Sequence, residues 1–182
     1  MKRTEAMDIL NGIPLEEVRE MASKARRARF GEGVDTCGII SARTGGCREN
    51  CAFCAQSGTL EPTAMTSDEL VSAHVTATRA GIGRFSAVAS GQDLQGEGFQ
   101  IICEMARRGE DLCPLCASLG ILTMDSLERL RDAGVSRYHH NLESSADFFP
   151  RICTTHSWDQ RAMTVRRAKI AGLSVCSGGY SE

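Results

Sequence analysis

Three cysteines, Cys47, Cys51 and Cys54, fall within eight residues of GGCRENCAFCAQSG at 45–58. Thiolates are soft ligands that favour iron–sulfur clusters, zinc and copper(I). A disulfide uses a pair of cysteines, and a structural zinc site usually closes with four ligands. Three thiolates on one short loop suit a metal centre with one corner left open. The spacers of three and two residues let one loop wrap three corners of a cubane [4Fe–4S] cluster, leaving one iron for a small molecule. Two other readings stay open: a zinc knuckle completed by a distant ligand, and cysteines that merely pack. Phe53 stands just before the last cysteine, and by itself could equally be a core residue.

A second polar constellation lies in RYHHNLE at 137–143. If this run is a strand, side chains alternate across it. Tyr138, His140 and Leu142 then share one face, and His139, Asn141 and Glu143 share the other. Strands of parallel sheets are normally covered on both faces, so a wholly polar face needs an explanation. In a barrel it points into the lumen, where a polar ligand satisfies it; a solvated edge strand is the alternative.

The elements that must hold these residues alternate regularly. PLEEVREMASKARRARF at 14–30 reads as an amphipathic helix, with Pro14 at the first helical position. The strand-like runs TCGIISA, RFSAVAS, PLCASLG, RYHHNLE and SVCSGG give five strands. Between them lie the helical runs SDELVSAHVTATRAG, GFQIICEMARRG, TMDSLERLRDAG and SWDQRAMTVRRAKIAG. Ser67 is the expected N-cap of the first of these and Gly81 its C-cap, while Ser157 and Gln160 form a capping box in the last. AGIG, AGVS and AGLS at 80–83, 133–136 and 171–174 repeat one helix-to-strand joint. Strands alternating with helices mean a parallel sheet, and such sheets gather sites at the carboxyl ends of their strands. The cysteine loop directly follows the first strand. With no linker in view, 1–182 reads as a single domain, helical over 1–34 and alternating over 35–182.

Bulk properties narrow the function classes. A net charge of −2 offers no basic field for nucleic acid. No run of about 18 apolar residues argues for a membrane span. The start, MKRTEAMDILNG, lacks the apolar centre of a secretory signal, so the expectation is a cytoplasmic protein. Nine cysteines are an odd count in a chain too long for a disulfide scaffold, so metal ligation explains some of them. Cys37, in a strand-like run, and Cys103, in a helical one, read as packing residues, and so does Cys153.

The spacing Cys47-x3-Cys51-x-Phe53-Cys54 resembles the signature of radical S-adenosylmethionine (SAM) enzymes. The surrounding CGIISARTGGCRENCAFCAQS resembles the biotin synthase family, and the likeness continues through CASLGIL, YHHNLESS, ICTTHSWDQR and VCSGG. The resemblance implies a (β/α)8 barrel of the TIM type. It implies a [4Fe–4S] cluster on Cys47, Cys51 and Cys54, with SAM chelating the open iron. Reductive cleavage of SAM then gives a 5′-deoxyadenosyl radical, which takes hydrogens from dethiobiotin so that sulfur can be inserted. Asn141 and Glu143 match positions that hold the SAM ribose, and Asn141 also approaches dethiobiotin; Glu143 stands where the family often has Asp. His139 occupies a substrate-contacting position that is often Asn. Arg161 matches an arginine near the SAM carboxylate, although its own surroundings, with Arg166, Arg167 and Lys169, read as an ordinary basic helix. Phe53 matches an aromatic near the adenine.

The family also carries an auxiliary cluster, a [2Fe–2S] centre held by three cysteines and a distant arginine. Cys116 and Cys176 match two of those cysteines; the third position is Ser86, a poorer ligand for iron, while Cys113 makes a new CPLC pair. The expectation is a rearranged auxiliary cluster on Cys113, Cys116 and Cys176, a [2Fe–2S] centre or a four-iron variant; the alternative is an incidental Cys113 and a crippled site. The resemblance further implies an electron donor such as flavodoxin or ferredoxin, and a homodimer for the full-length form. A barrel takes about 250 residues, so five βα units read as a truncated, N-terminal portion that is inactive by itself. The final YSE departs from the family pattern. Another maturase or mutase on the same barrel, or a non-enzymatic metal-binding fragment, are the competing functions.

Overall fold

A computed structural model describes residues 3–56 and 61–179, with the side chains of Arg3 and Leu10 left aside. The closing YSE and the end of the GGCRENCAFCAQSG segment lie outside the described residues. The chain divides into two compact units, Met1–Asp35 and Thr36–Glu182.

The first unit holds α1 (Arg3–Gly12) and α2 (Leu15–Phe30). Pro14 sits one position earlier than the sequence suggests, at the N-cap, with an extended ψ of 141°. Glu16 and Glu17 occupy the first turn of α2, and Arg27 and Arg29 the last, which complements the helix dipole.

The second unit contains β1 (Cys37–Thr44), β2 (Thr63–Ala64), α3 (Ser67–Arg79), β3 (Arg84–Ala89), α4 (Gly96–Arg108), β4 (Leu115–Ser118), α5 (Met124–Asp132), β5 (Arg137–His139), α6 (Trp158–Ile170) and β6 (Ser174–Cys176). The strands form one sheet in the order β2-β1-β3-β4-β5-β6. The five expected strands are parallel and lie in sequential order, as in a portion of a (β/α) barrel. Two residues of β2 add an antiparallel strand against Arg43 and Thr44, which covers the end of the β1 edge. No helix among the described residues is long and apolar enough to cross a membrane.

Local chemistry explains the regular joints. Helix α3 starts on Thr66 rather than Ser67, because Thr66 and Glu69 cap each other's backbone N–H groups. Ser157 and Gln160 make the expected capping box on α6. The three Ala-Gly joints are Schellman turns. Ile82, Val135 and Leu173 donate to the carbonyls of Ala77, Leu130 and Ala168, five residues back, while the intervening glycine takes a positive φ.

The helices cover one face of the sheet. Phe85, Ala87, Leu115, Ala117 and Tyr138 project to that side and pack on Leu70, Ile102, Met105, Leu127 and Leu130. Cys103 is buried there, as expected. Cys37 is not a packing residue: it opens β1, where the strand is still exposed. The other face carries Ile39, Ser86, Cys116, Arg137 and Ser174 in register, with His139 and Cys176 paired two residues further on.

Candidate metal centre

A cleft of about 290 Å³ opens at the carboxyl ends of β1, β3, β4 and β5. Cys47, Cys51, Phe53 and Cys54 line it from the loop after β1; His139, His140, Asn141 and Glu143 line it from the segment that begins at the end of β5; and His156 and Arg161 complete the wall. Segments more than 80 positions apart in sequence thus meet in one space, for Cys54 and His139 both line it.

Two loops are fastened together to make this wall. Asn50 donates through Nδ2 to Thr154 Oγ1 at 2.7 Å, and its Oδ1 accepts from the Thr154 N–H at 3.0 Å. Ala52 N–H donates to the Ile152 carbonyl, and Thr155 Oγ1 donates to Glu49 at 2.6 Å. The ICTTH segment therefore braces the cysteine loop. Its start is held by Gln56 Oε1 on the Gly45 N–H at 2.8 Å and by Ser90 Oγ on the Gly45 carbonyl at 2.6 Å.

Glu143 and Arg161 form the charged centre of the far wall. The guanidinium donates to Glu143 at 3.0 Å, to the Asn141 carbonyl at 2.6 Å and to His156 Nε2 at 3.1 Å. Arg161 is thus no ordinary surface arginine, for its side chain is only 12% exposed. Burial raises the Glu143 carboxyl above its ordinary value, with Arg161 opposing that shift. Glu143 also has a φ of +67°, uncommon for a side chain of its size. That turn is held against the second glycine of VCSGG: a Cβ on Gly179 would stand 3.0 Å from the Glu143 carbonyl. The glycine is required by close backbone approach.

The alternation expected over RYHHNLE ends early. β5 stops at His139, and the chain turns at Glu143, so His140 lines the cleft together with His139, Asn141 and Glu143. Tyr138 alone stays in the helix-side core. His140 is 4% exposed, stacks on Tyr138, and has an Nε2 with no hydrogen-bond partner among the described residues. Burial, reinforced by Arg161 and His156, pushes its pKa down to about 3. Burial and Arg161 also lower that of His139.

Sequence reading did not single out Cys153 as more than packing, nor Glu49, His140 or His156 as cleft residues. The Cys51 thiol donates to Cys153 Sγ at 3.6 Å, and burial together with that bond pushes Cys51 up to about 12. For Cys153 burial acts upward as well, but hydrogen bonds from Thr155 and His156 outweigh it and the thiol is lowered. His156 donates from Nδ1 to Glu49 at 2.5 Å and accepts from Arg161 at Nε2, which fixes its tautomer. The CTTH spacing was the available signal, being a Cys and a His three apart.

Cys113, Cys116 and Cys176 are not brought together. Cys113 packs against the helix-side core, and its backbone bonds to Thr78 and His74 of α3. Cys116 is buried on the opposite face near Arg84, and burial raises its thiol. Cys176 is exposed at the end of β6. Cys113 lies in the bend before β4, on the helix side, whereas Cys116 projects from β4 to the other face of the sheet.

Three thiol side chains on one loop are donors of the type that iron–sulfur clusters take. Thiolates about 2.3 Å from a single tetrahedral zinc lie about 3.8 Å apart. Among the described residues, Cys47, Cys51 and Cys54 are not drawn together as ligands of one ion. A cubane spreads its thiolates over separate iron corners.

Curated relatives align along almost the whole chain. Proteins named biotin synthase from Heliobacterium modesticaldum, Clostridium botulinum (strain Langeland) and Acetivibrio thermocellus are 47%, 39% and 40% identical to it. The alignments cover 90%, 94% and 96% of this chain but 53%, 60% and 57% of those proteins, so the chain spans little more than half their length. Among solved structures, methylornithine synthase superposes with a TM-score of 0.83 at 21% identity, over 98% of this chain and 55% of that one. HydG, a maturase of the [FeFe]-hydrogenase, gives 0.84 at 17%, over 98% and 43%. Those two likenesses establish the fold. The family model described as the radical SAM superfamily matches residues 41–180, which take in the three-cysteine loop, the polar wall and every parallel strand but the first residues of β1. By that match the chain is a member of the radical SAM superfamily.

Proposed function

We propose that this chain carries the cofactor half of a biotin synthase, which converts dethiobiotin to biotin by radical sulfur insertion. The observation that carries the reading is the single cleft in which the Cys47, Cys51 and Cys54 loop faces His139, Asn141, Glu143 and Arg161. The curated relatives supply the reaction class by their name.

Membership of the superfamily implies a [4Fe–4S] cluster and SAM. Cys47, Cys51 and Cys54 hold the cluster, and the wall opposite holds SAM. When bound, these two groups supply reductive generation of a 5′-deoxyadenosyl radical, and the protein supplies position and shielding. Arg161 offers the cation for an amino-acid carboxylate. Its bonds to Glu143 and the Asn141 carbonyl aim it before a ligand arrives, so little ordering remains to be done on binding. Glu143 and Asn141 present acceptor oxygens for ribose hydroxyls. His139, neutral under the shift that burial imposes, offers either a donor or an acceptor to the substrate. Phe53, packed beside Cys51 and Cys153, gives an apolar surface for a base.

For the auxiliary centre we narrow the expected set. Cys116 and Cys176 lie on the face opposite to the helices, and Cys113 packs on the other side. An auxiliary iron–sulfur cluster of this chain therefore rests on Cys116 and Cys176 with ligands from elsewhere. A flavodoxin-like or ferredoxin-like donor, a homodimeric full-length form and a cytoplasmic location complete the proposal.

The test is anaerobic reconstitution of the 182-residue chain with iron and sulfide, followed by EPR of the reduced protein with and without SAM. About four irons per chain and a spectrum that shifts with SAM support the cofactor reading. Cluster formation without a shift removes the SAM site. Formation of biotin from dethiobiotin, by this chain or a longer form, decides the reaction.

A further inference from the structure

Cys153 and His156 are given no ligand role in the cofactor arrangement proposed above. Both are buried, and both stand against the buried thiol of Cys51. The Cys51 and Cys153 sulfurs are 3.6 Å apart. The Cys153 sulfur lies 3.4 Å from Nδ1 and 3.8 Å from Nε2 of His156. One ligand atom from each of the three residues falls within 4.8 Å of the other two.

These distances carry a scale. Around one tetrahedral ion, with sulfur at about 2.3 Å and nitrogen at about 2.0 Å, neighbouring ligand atoms sit about 3.5 to 3.8 Å apart. Thiolates on two corners of a cubane are separated by an iron–iron edge as well, and stand further apart. Cys153 is therefore too close to Cys51 to serve as another corner of the same cluster. It is at the distance for sharing one ion.

His156 is already oriented as a ligand. Its Nδ1–H donates to Glu49, which leaves the Nε2 lone pair available, and a carboxylate behind the imidazole is the usual support of a metal-bound histidine. Arg161 now donates to Nε2 at 3.1 Å. An ion there replaces that one contact, and the bonds to Glu143 and the Asn141 carbonyl keep the guanidinium anchored. Two sulfurs and one imidazole nitrogen select a borderline-soft divalent cation.

We propose that Cys51, Cys153 and His156, with Glu49 behind the histidine, form a mononuclear site for a thiophilic divalent cation of the zinc class. Binding replaces the thiol protons of Cys51 and Cys153, which pass to solvent, and changes no oxidation state. Because Cys51 also belongs to the three-cysteine loop, the ion and the cubane exclude each other; this consequence alone rests on the cluster reading. The site gives the cluster-free chain a closed, metal-bound state, and makes zinc an inhibitor of cluster loading.

The test uses the full chain purified anaerobically without iron, with Co(II) as the optical probe. The variant Cys47→Ala/Cys54→Ala removes the rest of the cluster loop and keeps the proposed site. It should bind one equivalent of Co(II), with thiolate charge-transfer and four-coordinate bands, and release it to Zn(II). Adding Cys153→Ala should weaken that binding by about tenfold or more. X-ray absorption of the zinc form should give two sulfurs and one imidazole nitrogen, a readout independent of how well the triple variant folds. In the unmutated chain, one equivalent of zinc should slow iron and sulfide uptake, and Cys153→Ala should abolish that effect. Unchanged Co(II) affinity after Cys153→Ala, or no binding by the Cys47→Ala/Cys54→Ala chain, overturns the site. Zinc that leaves cluster loading untouched overturns the exclusion. A chain that never loads iron yet still binds Co(II) in this way retains the site and loses the cluster reading instead.

Discussion

At the scale of single residues, the cleft is held by charges that neutralise one another out of water. Arg161 and Glu143 are both largely buried, and each also bonds to neighbouring groups. Removing one partner leaves the other desolvated and unpaired. Arg161→Ala should therefore cost about 2 kcal/mol, read as a lower urea midpoint at unchanged slope. It should also move the Glu143 carboxyl further up, since the largest of the influences that lower it is gone. His140 gives a pH dependence. Its folded pKa of about 3 lies below the ordinary 6.5, so as the pH falls the unfolded chain takes up the proton first. The contribution of His140 is thus present above pH 6.5 and is lost between there and its folded value, by about 1.4 kcal/mol per pH unit. Glu143 has the opposite sign: its raised carboxyl favours folding below the ordinary 4.5, and that contribution is lost as the pH rises through the folded value. Urea midpoints from pH 7 to pH 4 should fall more steeply for the unmutated chain than for His140→Gln. Parallel curves would show that His140 is protonated in the folded state.

At the scale of elements, two devices set where each βα unit begins and ends. Capping boxes start α3 and α6, and Schellman turns close α3, α5 and α6. Thr66→Ala should cost about 1 kcal/mol in thermal or urea unfolding, and Ser67→Ala a few tenths. The reverse order would return the cap to Ser67. The same scale explains two glycines of the family-like segments. In CASLG, a Cβ on Gly120 would stand 2.1 Å from the Gln92 carbonyl oxygen, and in VCSGG the limit is set by Glu143. Both segments lie where one backbone passes closely over another, so side chains there are excluded by space.

At the scale of the whole molecule, the units differ in how much they bury. α2 buries none of its residues, whereas α4 and α5 bury five and three. Stability should follow that distribution. Brief trypsin treatment should cut first around Arg26, Arg27 and Arg29, which are exposed, and leave a product that contains β1 to β6. Mass spectrometry of the first fragments checks this, and an initial cut within α4 or α5 would contradict it.

What the sequence determined by itself is local or periodic. The order of strands and helices follows from hydrophobic spacing, the joints from Ala-Gly pairs, and the expectation of metal chemistry in the loop from three cysteines within a few residues of chain. That the polar run HHNLE faces a cavity was legible, but its division into faces was not. Strict alternation fails once the strand ends at His139 and Glu143 turns with positive φ. Cys113 and Cys116 looked like one chelating pair because they are close in sequence, but the bend before β4 holds Cys113 against the helices while Cys116 projects from the strand to the other face. Cys153 looked like a packing residue and His156 was not singled out, because their partners Cys51 and Glu49 lie over 100 positions away. Proximity across such separations is set by how the loops at the carboxyl ends of the strands pack together. No local propensity encodes it, and only the tertiary structure decided it.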